Sequence, residues 1–385
     1  MTVVAATCVL LAAWPAAGDD AAPRPRLQLI NGSDQAAAVQ WLKDDTEKVP
    51  AETIPPGGQA TIDTTLGHRF LVTGQRDGRQ VTVTVKQRVQ AARFDFVDAA
   101  GIPARYAQRA SAGGYPVVAS AAVSPFALGE AVALIDLLLA KRPDVRRAMI
   151  ESGSRLCIIG WNEFTTDLPE FGWLAADPVP GFAGLAPRDY WDARARGLGG
   201  SESDPFCSCG EENLLCYPGD PYSTENILIH EFAHNIHLRG LVNVDPTFDA
   251  RLGQAYAAAM QAGLWRGKYA GVNHHEYFAE GVQSWFDDNR ENDHDHNHVD
   301  TRAELIDYDP GLARLCREVF GDTELRYTKP PTRLTGHLEG YDPAAAPTFA
   351  WPERLTLARR RIREHAEVRN RTAAAPEPPA AEPAR

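Results

Sequence analysis

From Arg26 to about Arg93, apolar and polar residues alternate in short runs, LQLI, AAVQWL, QATIDT, RFLVTG and QVTVTVKQ, separated by Asn-Gly-Ser, Pro-Pro-Gly-Gly and Arg-Asp-Gly turn signals. A two-residue period buries one face of a strand, so this stretch predicts a small antiparallel β-sandwich over 26–93. A Gly- and Ala-rich segment, 94–119, reads as a linker. Beyond it the apolar spacing becomes helical. Ser124 and Pro125 supply an N-cap and a first-turn proline for a helix carrying Leu128, Val132, Ile135 and Leu139 on one face. Pro143 starts a shorter helix ending near Ser152-Gly153, and RLCIIG at 155–160 reads as a buried strand. Glu353 to Asn370 predicts a basic helix, and the Pro/Ala-rich residues 371–385 predict a disordered tail. The fold class expected is α+β: a sandwich followed by a mainly helical domain, 120–370, with a small sheet.

The first 18 residues, MTVVAATCVLLAAWPAAG, form an apolar run ending in small residues, which predicts a signal peptide and a secreted or periplasmic protein. The next most apolar run, Ala131 to Ala140, is too short to cross a bilayer and contains Asp136, so no membrane span is expected. A formal charge of −12 over 385 residues, with no basic stripe, argues against nucleic acid as a partner. Loss of the leader removes Cys8 and leaves Cys157, Cys207, Cys209, Cys216 and Cys316. Export favours disulfides among them, with buried thiols as the alternative, while the spacing in CSCGEENLLC is tight for a metal site.

Chemistry enters with STENILIHEFAHNIHLRG. Ser223 or Thr224 can cap a helix there and Gly240 can close it. His230 and His234, four residues apart, stand on one helical face and can reach one cation, while Glu231 is turned far enough aside to reach a water at the metal and act as general base. His237 shares the face but lies seven residues from His230, about 10 Å along a helix axis, too far to complete the same site. The better third ligand lies in YAGVNHHEYFAEGVQSWFDD, where Glu276 and Glu280 are four apart on an amphipathic pattern. Glu276 then binds the metal, expected to be Zn2+, and Glu280 holds a ligand imidazole from behind.

HEFAH, then Tyr269 and the run Asn273, Glu276, Tyr277, Phe278, Ala279, Glu280, resembles the gluzincin catalytic domain of the anthrax lethal factor family. The resemblance implies a zincin-like metallopeptidase domain, Glu276 as zinc ligand and Tyr269 as an aid to catalysis, with a protein or peptide substrate. His274 and His275 depart from the pattern and read as solvent-facing groups or supports behind a ligand, with an extra ligand or a gate as the alternative. A non-peptide amide hydrolase, or a binding protein built on a zincin scaffold, are the rival functions.

The sandwich has a resemblance of its own. INGS, QWLKDD and IPPGGQATIDTTLGHRF resemble the β-domain of the von Hippel-Lindau family, which implies a protein-binding fold. Of that family's pocket His68 is kept, whereas Thr64, Asp63, Phe70 and Ala51 replace its other residues, so a structural or generic protein-binding sandwich is the expectation. DDNRENDHDHNHVD, with His294, His296 and His298, reads as a solvated acidic loop.

Overall fold

The computed structural model describes residues 24–44, 46–323 and 326–374, so the signal peptide expected over residues 1–18 and the chain beyond 374 lie outside the described residues. Seven strands precede residue 95: β1 (Arg26–Asn31), β2 (Ala37–Leu42), β3 (Lys48–Ile54), β4 (Gln59–Asp63), β5 (Arg69–Gly74), β6 (Gln80–Thr84) and β7 (Val89–Phe94). They form two sheets, ordered β4-β1-β7 and β3-β2-β5-β6. The alternation does what it predicted: Leu27, Leu29, Val39, Phe70, Val72 and Val83 close one core between them. Two strands escaped the pattern. β3 is a largely exposed edge carrying Pro50, and β7 is Ala-rich. Because β7 pairs parallel to β1, the sandwich is not purely antiparallel, which corrects the expectation. Near the β4–β5 turn, Thr64 Oγ1 lies 3.0 Å from His68 Nδ1, and the His68 ring rests against Trp41.

The segment expected to be a linker is structured. β8 (Gln108–Ala112) and β9 (Tyr115–Ala119) form a hairpin turning through Gly113 and Gly114, both at positive φ. Such a two-residue turn demands positive φ, which glycine adopts freely. The hairpin is the start of a five-stranded sheet, β11-β12-β10-β9-β8, with β10 (Arg155–Ile159), β11 (Gly197–Leu198) and β12 (Phe206–Gly210). β10 is parallel to both β9 and β12 and buried at every position, as a continuous apolar run requires.

Eleven helices are described. α1 (Pro125–Leu138), with Ser124 as its cap, and α2 (Pro143–Glu151) follow the sheet's hairpin. α3 (Pro187–Arg194) and α4 (Glu211–Leu214) lie between and after its later strands. α5 (Ile227–Asn235) runs into a π-helical turn, Ile236–Leu241, and a last turn, α6 (Val242–Val244), so the helix does not stop at Gly240 as expected. α7 (Phe248–Gln261), α8 (His274–Trp285), α9 (Arg302–Tyr308), α10 (Pro310–Phe320) and α11 (Thr356–Ala374) complete the chain. α5 packs between β12 and α8, with Phe232 edge-on to Tyr115 at 5.2 Å.

The sandwich meets the helical half along β7. Ala91 N donates to Ser152 O at 3.0 Å, and the Asn243 side chain bonds both Val89 N and Val89 O. Gly153 is needed at this joint: it has a φ of 80°, and a Cβ there would come within 2.2 Å of Ala91 O. The expected disulfides are absent, since Cys157, Cys207, Cys209, Cys216 and Cys316 are all free thiols. Cys207 and Cys209 stand two apart on β12, at a Cα spacing of about 6.8 Å, at the far limit for a bridge. Among the described residues no helix is long and apolar enough to cross a membrane.

Candidate metal centre

Two helix starts build the site. α5 begins at Asn226, not at Ser223 or Thr224. Asn226 N donates to the Asp288 carboxylate, and Ile227 N donates to Asn213 Oδ1 at 2.7 Å, so the first-turn donors of α5 are held from two sides. α8 is capped by Asn273, whose Oδ1 accepts from His275 N and Glu276 N at 2.8 and 2.9 Å. That cap places Glu276 in the first turn of α8, where the helix dipole favours a carboxylate.

The two helices bring together His230, His234 and Glu276, whose ligand atoms all lie within 4.8 Å of one another. One oxygen, Glu276 Oε2, is 3.2 Å from His230 Nε2 and 3.3 Å from His234 Nε2. Donors on a tetrahedral zinc with bonds of about 2.0–2.1 Å stand roughly 3.3 Å apart, which these separations match. The tautomer makes a second argument. Gln283 Nε2 donates to Glu225 Oε2 at 2.9 Å, which turns Gln283 Oε1 toward His230 Nδ1, 2.8 Å away. His230 therefore carries a proton on Nδ1, which leaves Nε2 as the nitrogen that faces the carboxylate. Nε2 and the carboxylate oxygen can share that distance only with a cation between them, a second ring proton or a metal ion. Burial opposes a charge on His230, yet Glu276 and Glu280 raise its pKa well above the ordinary histidine value, which expresses the same requirement.

Glu280 stands behind His230 as expected, with Oε1 3.4 Å from Nδ1, but it shares that place with Gln283, the closer partner. Its other oxygen accepts from Asn289 Nδ2 at 3.1 Å and lies 3.3 Å from His296 Nε2. His296 corrects the reading of the histidine-rich loop. His294 and His298 are exposed, but His296 is buried, with Nδ1 2.8 Å from Asp293 Oδ1. Asp293 also accepts from the His296 backbone, a tight turn that folds this histidine inward. Burial works against its charge, but Glu280 and Asp293 raise its pKa to about 10, and Glu280 is held down to about 2 chiefly by His296 against its own burial. The first cluster therefore rests on a buried ion pair.

Glu231 lines a cleft of about 460 Å³ together with His230, Tyr269, Arg194 and Tyr222. Burial raises its carboxyl pKa, with His230, His234 and Arg194 pulling the other way. Tyr269 sits in a 3₁₀ turn fixed by Tyr269 N donating to Asp295 O at 2.8 Å, and its ring centroid is 6.1 Å from that of His230. Its hydroxyl pKa is pushed up by burial and by Glu276, and it hydrogen-bonds Arg194, which opposes the shift. Arg194, the last residue of α3, lies far from both motifs in sequence and carries no signal there. Arg359, Ile362 and Arg363 of α11 form part of the cleft wall. His237 takes no part in this cluster: it lies further along the helix, within reach of Asp249 and His275 instead. Compared with known proteins, the chain matches no family model and no curated sequence.

Proposed function

We propose that the chain is a zinc-dependent peptidase of gluzincin type, exported by its apolar leader, with a zincin-like catalytic domain and an N-terminal sandwich that binds a protein partner. The observation that carries this reading is the single Glu276 oxygen facing two imidazole nitrogens at 3.2 and 3.3 Å, one of them on His230, which lines the cleft together with Glu231 and Tyr269. His230, His234 and Glu276 would hold the ion, and Glu280 and Gln283 hold the His230 ring for it. Bound zinc would polarise the scissile carbonyl and make water acidic near neutral pH. Glu231, raised in pKa by burial, takes the proton of the attacking water and returns it to the leaving amine. Tyr269 keeps its proton because burial and Glu276 disfavour the phenolate, so its hydroxyl can donate to the carbonyl oxygen as charge develops there. Arg194, bonded to Tyr269, orients that hydroxyl.

The test is metal content and cleavage of a mixed peptide library by the wild type and Glu231→Gln. Equal zinc in both, with cleavage falling by about 10²–10⁴-fold in the variant, is expected. Full cleavage by Glu231→Gln, or none by either protein when zinc is bound, would remove the peptidase reading.

A further inference from the structure

Two residues after His234 the backbone passes into the π turn Ile236–Leu241, and His237, its second residue, packs on the start of α8 against His275 and Phe278, beyond the reach of the first cluster. Its imidazole is 1% exposed. Phe248 and Phe278 pack edge-on against it with centroids 5.5 and 5.7 Å away, which locks the ring. Neither ring nitrogen has a hydrogen-bond partner. Nε2 lies 3.0 Å from Asp249 Oδ1 but outside hydrogen-bonding geometry. A buried imidazole nitrogen that faces a carboxylate at 3.0 Å without an aligned hydrogen bond to it needs an explanation.

The surroundings supply one. Asp249 Oδ1, from the first turn of α7, is also 3.9 Å from His275 Nε2, at the start of α8. The His237 and His275 rings stand 5.3 Å apart at 73°. Ligand atoms of His237, Asp249 and His275 all lie within 4.8 Å of one another. His274 approaches from outside, with Nε2 3.0 Å from the same Asp249 oxygen. We propose that His237, His275 and Asp249 form a second binding site for a divalent transition-metal ion, of which zinc is the best fit to two imidazoles and one carboxylate. The side of the site formed by Asp249 and His275 is open to solvent, which gives the ion an entry path and a position for water. The ion ties the π turn, α7 and α8 together at the residue adjoining Glu276. Its role is to fix the start of α8, and it needs no part in bond cleavage.

The experiment is zinc titration of the metal-stripped full-length chain, with bound metal counted by mass spectrometry and cobalt(II) absorption as a second readout. Two equivalents are expected in the wild type, one in Asp249→Ala, one in His275→Ala and one in Glu276→Gln. Both second-site variants are at partly exposed positions, and equal melting of the metal-free proteins shows that folding is intact. Should either substitution disturb folding, Asp249→Asn keeps the side chain's shape and is expected to lose the same equivalent and the same cobalt band. Zinc content and cobalt spectra unchanged by Asp249→Ala and His275→Ala would overturn the second site. A single wild-type equivalent, kept in Glu276→Gln and lost in Asp249→Ala, would support it while removing the peptidase reading.

Discussion

One continuous helical segment carries two histidine clusters that differ in almost every physical respect. His230 and His234 sit on regular α-helix, their partner Glu276 is mostly enclosed, and a chain of polar groups, Gln283, Glu280, His296 and Asp293, stands behind His230. His237 sits on irregular backbone, its partner Asp249 faces solvent, and the phenylalanine rings of Phe248 and Phe278 pack against it. A site that must present a ligand in one protonation state, beside a reacting group, needs polar support for each ring. A site that merely joins three elements can rely on packing. On the proposed reading, the contrast separates a centre built for chemistry from one built for stability.

Tyr269 gives the sharpest break in that comparison. Replacing it by Phe removes the hydroxyl that Arg194 orients and leaves the ring's packing. Cleavage should fall by about 10²–10³-fold, the usual loss of one oxyanion donor, with zinc content unchanged. The measurement is kcat for a peptide substrate alongside metal analysis, and a wild-type kcat would leave the tyrosine a packing residue only. Gln283→Ala should come next. It removes the acceptor that fixes the His230 tautomer, so zinc affinity at the first cluster should drop about 10–100-fold. Competition with a fluorescent chelator checks this, and occupancy of the second cluster should not move.

The same contrast explains what could be read from the sequence. His230, His234, Glu231, Glu276 and Glu280 were legible because regular helix turns spacing into direction, and both segments are regular where those residues stand. The sandwich was legible strand by strand where apolar and polar residues alternate, and failed at β3, an exposed edge, and at Ala-rich β7, which is buried without alternation. Gln283 was within reach, since it lies seven residues after Glu276 on the same helix face, but an amide three residues beyond a conspicuous glutamate draws no notice. Arg194 and His296 were not legible at all. Each reaches the site through tertiary packing, one from the end of α3 and the other from a loop that the Asp293 turn folds inward. The hairpin at 108–119 was hidden by composition, because a Gly-Gly turn between Ala-rich strands looks like a linker until its partner strand β10 is known.

Nor does the sequence announce the π turn, and there the comparison can be tested with least disturbance to catalysis. Gly240 lies within the turn, and a Cβ added there would meet Val145 Cγ1 at 2.5 Å and Met149 Cγ at 3.0 Å on α2. Val145 is buried and β-branched, so it cannot swing away, and relief has to come from movement of the turn against α2. Gly240→Ala should therefore cost about 1–3 kcal/mol of stability, read from denaturant unfolding of the metal-free chain. Because His237 is only three residues away in the same turn, zinc binding at the second cluster should weaken too. The first cluster, carried by the regular helix before the turn and by α8, should keep its zinc and its cleavage rate. Unfolding at the wild-type midpoint with both equivalents retained would show that the turn yields freely, and that the position of His237 owes nothing to its fit against α2.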